Sequence, residues 1–256
     1  MRIKVELISE NKITLPTGYN SIIQGLIYNF FDKNTAKWLH DTGFAYEKRK
    51  FKMFSFSPFL ERARFDKINK TFTFPQNISF YFSSPVDWLI EQFATNFIKQ
   101  DFVQINSQKA HINSVNVLKN PEIVKNSIKM RAITPIEVHS TLKKENGKKL
   151  THYYTPFDKE FKELINANLK KKWYSIFKKE CAFNISIMPL FTGNKYERIQ
   201  YFGTNKDRRT LIKGWKGYYQ LDGESEFLKF AYSAGLGSRN SAGFGMWEIV
   251  REEEKK

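Results

Sequence analysis

The order in which alternating and helix-periodic segments follow one another constrains this chain more than any single residue. Residues 2–9 alternate charged and apolar side chains up to Glu10-Asn11, which predicts a strand. Over residues 19–31, Ile22, Ile23, Leu26, Ile27 and Phe30 fall on one stripe of a helix. A short helix is predicted at Thr35–Asp41, stopped by Gly43. Strands follow at 51–57, at 71–74 and at 78–82, with Pro75-Gln76-Asn77 as a turn. Ser84-Pro85-Val86-Asp87 reads as a helix start, with Ser84 as cap and Pro85 in the first turn. Strands at 102–106 and 111–118 complete a β-α-β-β-α-β order, the ferredoxin-like pattern.

Lys119-Asn120-Pro121-Glu122 is the best boundary, and the same grammar returns after it. The second half reads as a strand at 128–133, a Lys-rich turn at 142–149 and a short strand near His152–Tyr154. A long helix opens at Thr155-Pro156-Phe157-Asp158 and runs to about Lys179. Strands at 182–188, 198–202 and 209–215, a helix at 224–234 and a last strand at 244–250 follow. The expected fold is therefore α+β, two tandem ferredoxin-like domains, residues 1–120 and 121–256. The likeness between the halves is one of element order, since no internal sequence repeat accompanies it.

Composition narrows the function. Lys and Arg number 42 against 26 acidic residues, a net charge of +16, and aromatics reach 16%. Basic charge tracks phosphates and aromatic faces stack on unpaired bases, so a nucleic-acid partner fits, RNA above all. A lysine-rich genome would raise the same numbers, so charge alone decides nothing. No apolar run approaches the twenty or so residues of a membrane span. The N-terminus lacks the apolar core of a signal peptide, and the expected location is the cytoplasm. The single cysteine, Cys181, excludes an internal disulfide and a Cys-based metal cluster, and reads as a core thiol. No His/Asp/Glu group has metal-ligand spacing, so neither metal nor cofactor is expected.

The most specific motif is Gly235-Leu236-Gly237-Ser238-Arg239-Asn240-Ser241-Ala242-Gly243-Phe244-Gly245, between the last helix and the last strand. Glycines permit positive φ and close approach to a ligand, and successive backbone N–H groups can cradle phosphate. Gly235, Gly237, Gly243 and Gly245 are thus candidate RNA contacts, with Arg239 as a forked cation. No Gly-Lys-Ser/Thr follows, so this is not a Walker loop, and its helix-to-strand position excludes a Rossmann fingerprint. A helix cap and a tight turn would account for one glycine but not for four. Two Gly-apolar-Gly triplets flanking five residues resemble the C-terminal signature of the RAMP superfamily of CRISPR proteins.

RNA scission without metal needs a base for the 2′-hydroxyl, an acid for the leaving oxygen and a cation for the phosphorane. Histidine suits proton transfer, and the chain holds His40, His111, His139 and His152. His40 ends the second predicted helix, shortly before the basic run Lys48-Arg49-Lys50-Phe51-Lys52. Tyr28 lies roughly 170° from the centre of the first helix's apolar stripe, away from the expected core. The stretch Gln24-Gly25-Leu26-Ile27-Tyr28, then Leu39-His40, then Lys52-Met53-Phe54-Ser55-Phe56-Ser57 resembles the N-terminal pattern of the archaeal-type Cas-six endoribonucleases. That resemblance implies an active site of Tyr28, His40 and Lys52, with Lys50 as an alternative to Lys52. It implies 2′-hydroxyl attack giving a cyclic phosphate and a 5′-hydroxyl, CRISPR repeat RNA as substrate, and an effector complex or a second copy as partners. His40 would be general acid or base, Tyr28 its partner, and Lys52 the phosphate cation. The other three histidines read as structural.

Phosphate contacts are expected from Arg208, Arg209 and Lys213 in a late cluster beside Trp215, Tyr218 and Tyr219. The Lys170-Lys171-Lys172-Trp173 run reads as a solvated helix face. Three readings remain open: the nuclease, a non-catalytic RNA-binding subunit on the same fold, and a generic basic nucleic-acid protein.

Overall fold

Alternation and helical period translate into two sheets of the same strand order, seen in a computed structural model that describes residues 1–123, 126–143, 147, 149–203, 205 and 209–250. The first half runs β1 (Arg2–Ile8), β2 (Ile13–Pro16), α1 (Asn20–Asn29), α2 (Lys33–Asp41), β3 (Phe44–Tyr46), β4 (Arg49–Phe51), β5 (Ser55–Phe56), β6 (Arg64–Asp66), β7 (Thr71–Phe74), β8 (Asn77–Ser83), α3 (Asp87–Ile98), β9 (Phe102–Ile105) and β10 (Gln108–Val117). The second runs β11 (Ser127–Ile136), β12 (His139–Lys143), β13 (Lys149–Tyr153), α4 (Lys159–Phe177), β14 (Ile185–Pro189), β15 (Glu197–Phe202), β16 (Thr210–Gly223), α5 (Ser225–Ala234) and β17 (Trp247–Ile249).

The first sheet is ordered β5-β8-β1-β10-β9 and the second β14-β16-β11-β17, with β15 added along β16. Numbered within each half, both contain the order 2-3-1-4, all antiparallel, which is the ferredoxin-like arrangement. On β1, Ile3, Val5 and Leu7 face inward and pack with Phe80 and Phe82 of β8 and with Phe93 and Phe97 of α3. In the second core Met130, Tyr219 and Leu221 meet Phe161 and Leu169 of α4 and Phe227 and Ala231 of α5. Cys181 lies buried beside this second core.

Several elements differ from the sequence expectation for local reasons. The predicted 51–57 strand is broken at Met53, which takes φ 55, and only Ser55–Phe56 pairs with β8. Pro75-Gln76-Asn77 does not close a hairpin: β7 pairs with β2 and β6 in a separate three-stranded sheet, while β8 pairs with β1. Strand β2, too short to alternate visibly, is absent from the sequence reading. Ser84 does not cap α3, which starts after Val86 without a side-chain cap; its Oγ instead accepts from Val86 N and donates to Met53 O. The strand predicted at 209–215 is the first part of a 14-residue strand, β16.

The outward face of β1 is not solvated at its start, because the second half docks there. Arg2, 2% exposed, donates Nη1 to Trp247 O and Nη2 to Tyr232 O, both at 2.9 Å, and stacks 3.7 Å above the Tyr232 ring. Burial holds its guanidinium down at about 10. Ser83 Oγ adds a bond to Ser233 O. Arg2→Ala takes a donor from each of two buried carbonyls, and a loss of about 3 kcal/mol in urea unfolding is expected.

Candidate nucleic-acid interface and cleavage site

The C-terminal end of α2 carries His40, and its orphan carbonyls attract cations. Lys52 Nζ donates to Leu39 O and to His40 O, and Lys50 Nζ donates to Asp41 O. The helix starts firmly as well, since the Asp32 carboxylate accepts from Asn34 N and Thr35 N at 2.9 Å each. The His40 imidazole is 80% exposed, with Nδ1 at 2.8 Å from Asp41 Oδ1. That contact holds the Asp41 carboxyl below its ordinary range. Burial first, and Lys50 second, lower the Lys52 amine.

His40 and Lys52 therefore share one helix end. Tyr28 does not join them directly. Its ring packs edge-on against Phe31 and Phe54, and among the described residues no hydrogen bond reaches its hydroxyl. The helical wheel placed Tyr28 away from the core, but the 53–54 segment folds over that face and half-buries it. Burial pushes its phenol up to about 12, so it holds its proton near neutral pH.

The glycine loop is a packed knot rather than an open cradle. Gly235, Gly237, Gly243 and Gly245 are all buried with φ between 68 and 84°. Gly235 N donates to Ala231 O, Gly243 N to Asn240 O and Gly245 N to Pro135 O, so these amides are spent inside the protein. A Cβ at Gly237 would strike Glu137 O, and one at Gly245 would strike Leu236 O. The loop's tip, not its glycines, faces outward: Ser238, Arg239 and Ser241 line a cavity of about 310 Å³. Its other wall is Arg49, Lys50, Phe51, Lys52, Met53 and Phe54, so the cavity lies between the two halves. Asn20 and Gln24 of α1 pin the loop from below through Ala242 O and Ser241 O, the latter at 2.5 Å.

Two further groups escaped the sequence reading. Lys172, taken as part of a solvated face, is buried, with Nζ bonded to Gly235 O at 3.1 Å, Gly237 O at 3.3 Å and Asn240 Oδ1 at 2.5 Å. The signal was present: Phe161, Ile165, Leu169 and Lys172 recur at helical spacing on one stripe. His139, taken as structural, lines the cavity with Nδ1 at 2.5 Å from the buried Glu137 Oε1. Residues 137 and 139 stand two apart where β11 gives way to β12, a spacing that the sequence alone does not mark as a pair.

Of the late basic cluster, Arg208 lies outside the described residues. Arg209 stacks 3.9 Å over Tyr201 and lines a second cavity with Tyr19 and Phe65, apart from the first. Lys213 pairs with Glu197 at 3.8 Å. His111 sits on β10 opposite Phe102, and His152 packs against Tyr154. Among the described residues no three His, Cys, Asp or Glu side chains gather as a metal-ligand group, and no helix is long and apolar enough to cross a membrane.

Paired ferredoxin-like halves joined at a glycine-rich loop define the RAMP class of fold. Residues 14–116 match the family model described as CRISPR-associated protein Cas6, N-terminal, and residues 118–249 match CRISPR associated protein Cas6, C-terminal. The chain belongs to the Cas6 family. It is 28% identical to CRISPR-associated endoribonuclease Cas6 1 of Methanocaldococcus jannaschii, over 100% of this chain and 95% of that protein. Identity to the CRISPR-associated endoribonuclease Cas6 of Pyrococcus furiosus is 25%, over 100% of this chain and 92% of that protein. A solved structure described as CRISPR associated protein Cas6 superposes with a TM-score of 0.76 at 25% identity, covering 98% of this chain and 99% of the other. A Cas6-related protein from Pyrococcus furiosus superposes with a TM-score of 0.82 at 19% identity over 99% of both chains, a likeness of fold.

Burial lowers the Lys172 amine from its ordinary 10.5 to about 7. Between those values the unfolded chain holds one more proton than the native one, so stability rises with pH across that window. Urea unfolding between about pH 7 and pH 10 is expected to show this climb, and Lys172→Met to flatten it.

Proposed function

We propose that this Cas6 chain is a metal-independent endoribonuclease that cuts CRISPR precursor RNA within its repeats. The observation that carries the reading is the basic cavity walled by the Lys50–Phe54 segment on one side and the glycine loop on the other, with His40 at the adjoining helix end. The names of its curated relatives supply the substrate class, and the chemistry follows from the side chains. The 2′-hydroxyl attacks the neighbouring phosphate; an O2′–P bond forms, the P–O5′ bond breaks, and the products are a cyclic phosphate and a 5′-hydroxyl. One group takes the 2′ proton and another returns a proton to O5′.

His40 serves in proton transfer, exposed at the helix end whose carbonyls hold the cavity-lining Lys52. Lys52 or Lys50 meets the phosphate charge. Either amine exchanges a helix carbonyl for a phosphate oxygen, a stronger acceptor for a cation. Tyr28 is assigned a supporting donor role, since its phenol keeps its proton. Arg239, at the cavity, is an RNA contact; the four glycines hold the loop in shape and act on RNA through it. Arg209 and Lys213 extend the basic track along the late strands, with Arg208 beside them in sequence.

Repeat RNA incubated with the protein in EDTA is expected to be cut. His40→Ala should slow single-turnover cleavage about 10²- to 10⁴-fold, and a 2′-deoxy nucleotide at the cut should block it. Tight binding without cleavage by the wild-type chain would make it a holder of RNA instead. Arg209→Ala is expected to weaken binding across repeat sequences and to lower the slope of log affinity against log salt by about 1.

A further inference from the structure

The Glu137–His139 pair has no part in the proton transfers assigned so far, yet it is built as a catalytic pair is built. Glu137 is 0% exposed. Its Oε1 meets His139 Nδ1 at 2.5 Å, while Oε2 has only Arg239 Nε at 3.9 Å and makes no hydrogen bond. The Arg239 Nε likewise makes no hydrogen bond among the described residues. The pair is anchored to the glycine loop by its main chain, since Glu137 O accepts from Ser238 N at 2.8 Å. A side chain at Gly237 would press on that same carbonyl. His139 is 22% exposed and reaches the wall of the cavity that Lys50, Lys52 and Arg239 also line. The Tyr153 ring, 6.0 Å away on the neighbouring strand, flanks the imidazole.

A carboxylate that fixes Nδ1 sets the tautomer and leaves Nε2 as the nitrogen that meets a ligand. A buried carboxylate with one oxygen unsatisfied is best compensated when its neighbour is an imidazolium, the form that can give a proton away. The surrounding amines and guanidinium fit the phosphodiester to which that proton would pass.

We infer that His139 is a second catalytic histidine of this cleavage site, the general acid that protonates the departing O5′, with Glu137 as its positioning residue. The inference rests on the endoribonuclease reading and divides its proton traffic. His40 takes the 2′ proton as the O2′–P bond forms. His139 gives its Nε2 proton to O5′ as the P–O5′ bond breaks. The count of protons and electrons is unchanged over the step.

A leaving-group substitution tests this on the full chain. Once the wild-type cut is mapped, single-turnover cleavage is measured on repeat RNA and on the same RNA carrying sulfur in place of the bridging O5′. A thiolate departs without protonation. His139→Ala is expected to be slowed about 10²- to 10³-fold on ordinary RNA and to recover to near the wild-type rate on the sulfur substrate. His40→Ala should be slow on both. Glu137→Gln should show a smaller loss, also rescued. Unfolding midpoints and affinity for 2′-deoxy repeat RNA check that each variant is folded, and His139→Asn replaces the alanine variant if that one unfolds. The inference is overturned if either folded His139 variant stays within about threefold of wild type on ordinary RNA, or loses rate equally on both substrates. A wild-type chain that leaves ordinary RNA intact overturns the endoribonuclease reading itself, and this inference with it.

Discussion

The Arg2 guanidinium, buried where the two halves meet, is the contact on which the rest of the arrangement leans. It ties the second residue of the chain to the carbonyls of Tyr232 and Trp247, one on the last helix and one on the last strand. A cation so deeply placed is tolerable only because its donors find buried acceptors and its face finds an aromatic ring. In the same docking, β5 and α1 of the first half lie against the glycine loop of the second. Gln24 and Asn20 then reach Ser241 O and Ala242 O from α1.

Inside that frame, the glycine loop works through what it refuses to admit. Its four glycines adopt left-handed φ where Glu137 O, Leu236 O, the Asn240 amide and, for Gly243, the Asn20 amide and the Phe56 ring stand too close for a Cβ. Lys172 then fastens the loop from within α4, one amine satisfying two main-chain carbonyls and the Asn240 side chain. The result is a rigid wall that carries Arg239 and, through Glu137, His139.

The fold was legible in the sequence because it depends on period and order: Ile3, Val5 and Leu7 alternate, Ile23 and Leu26 recur at helical spacing, and the halves repeat the same succession. What escaped depends on distance across the chain. Met53 broke an apparent strand because its backbone turns left-handed, which an alternating pattern cannot reveal. Tyr28 was placed on an outer face because the wheel knows nothing of the Phe54 ring that folds over it. At the site, His40 and Lys52 stood out through a family pattern, and the structure puts them at one helix end. Lys172 hid inside a run of lysines, where charge outweighed its position on the apolar stripe. His139 hid because its meaning comes from Glu137 being buried, and burial is set by the loop a hundred residues further along the chain.

The basic cavity draws its lining from distant parts of the polypeptide, residues 49–54 on one side and Ala234 with residues 238–241 on the other, joined by His139, Asn168 and Lys172. Each ferredoxin-like half completes its own sheet and its own core. On the proposed reading, the groups assigned to the chemistry are drawn from both halves. The cavity is thus assembled by docking, along a seam that the final helix and strand close over residue 2. A chain cut short before its final helix and strand would lose one wall of that cavity together with both carbonyl partners of Arg2.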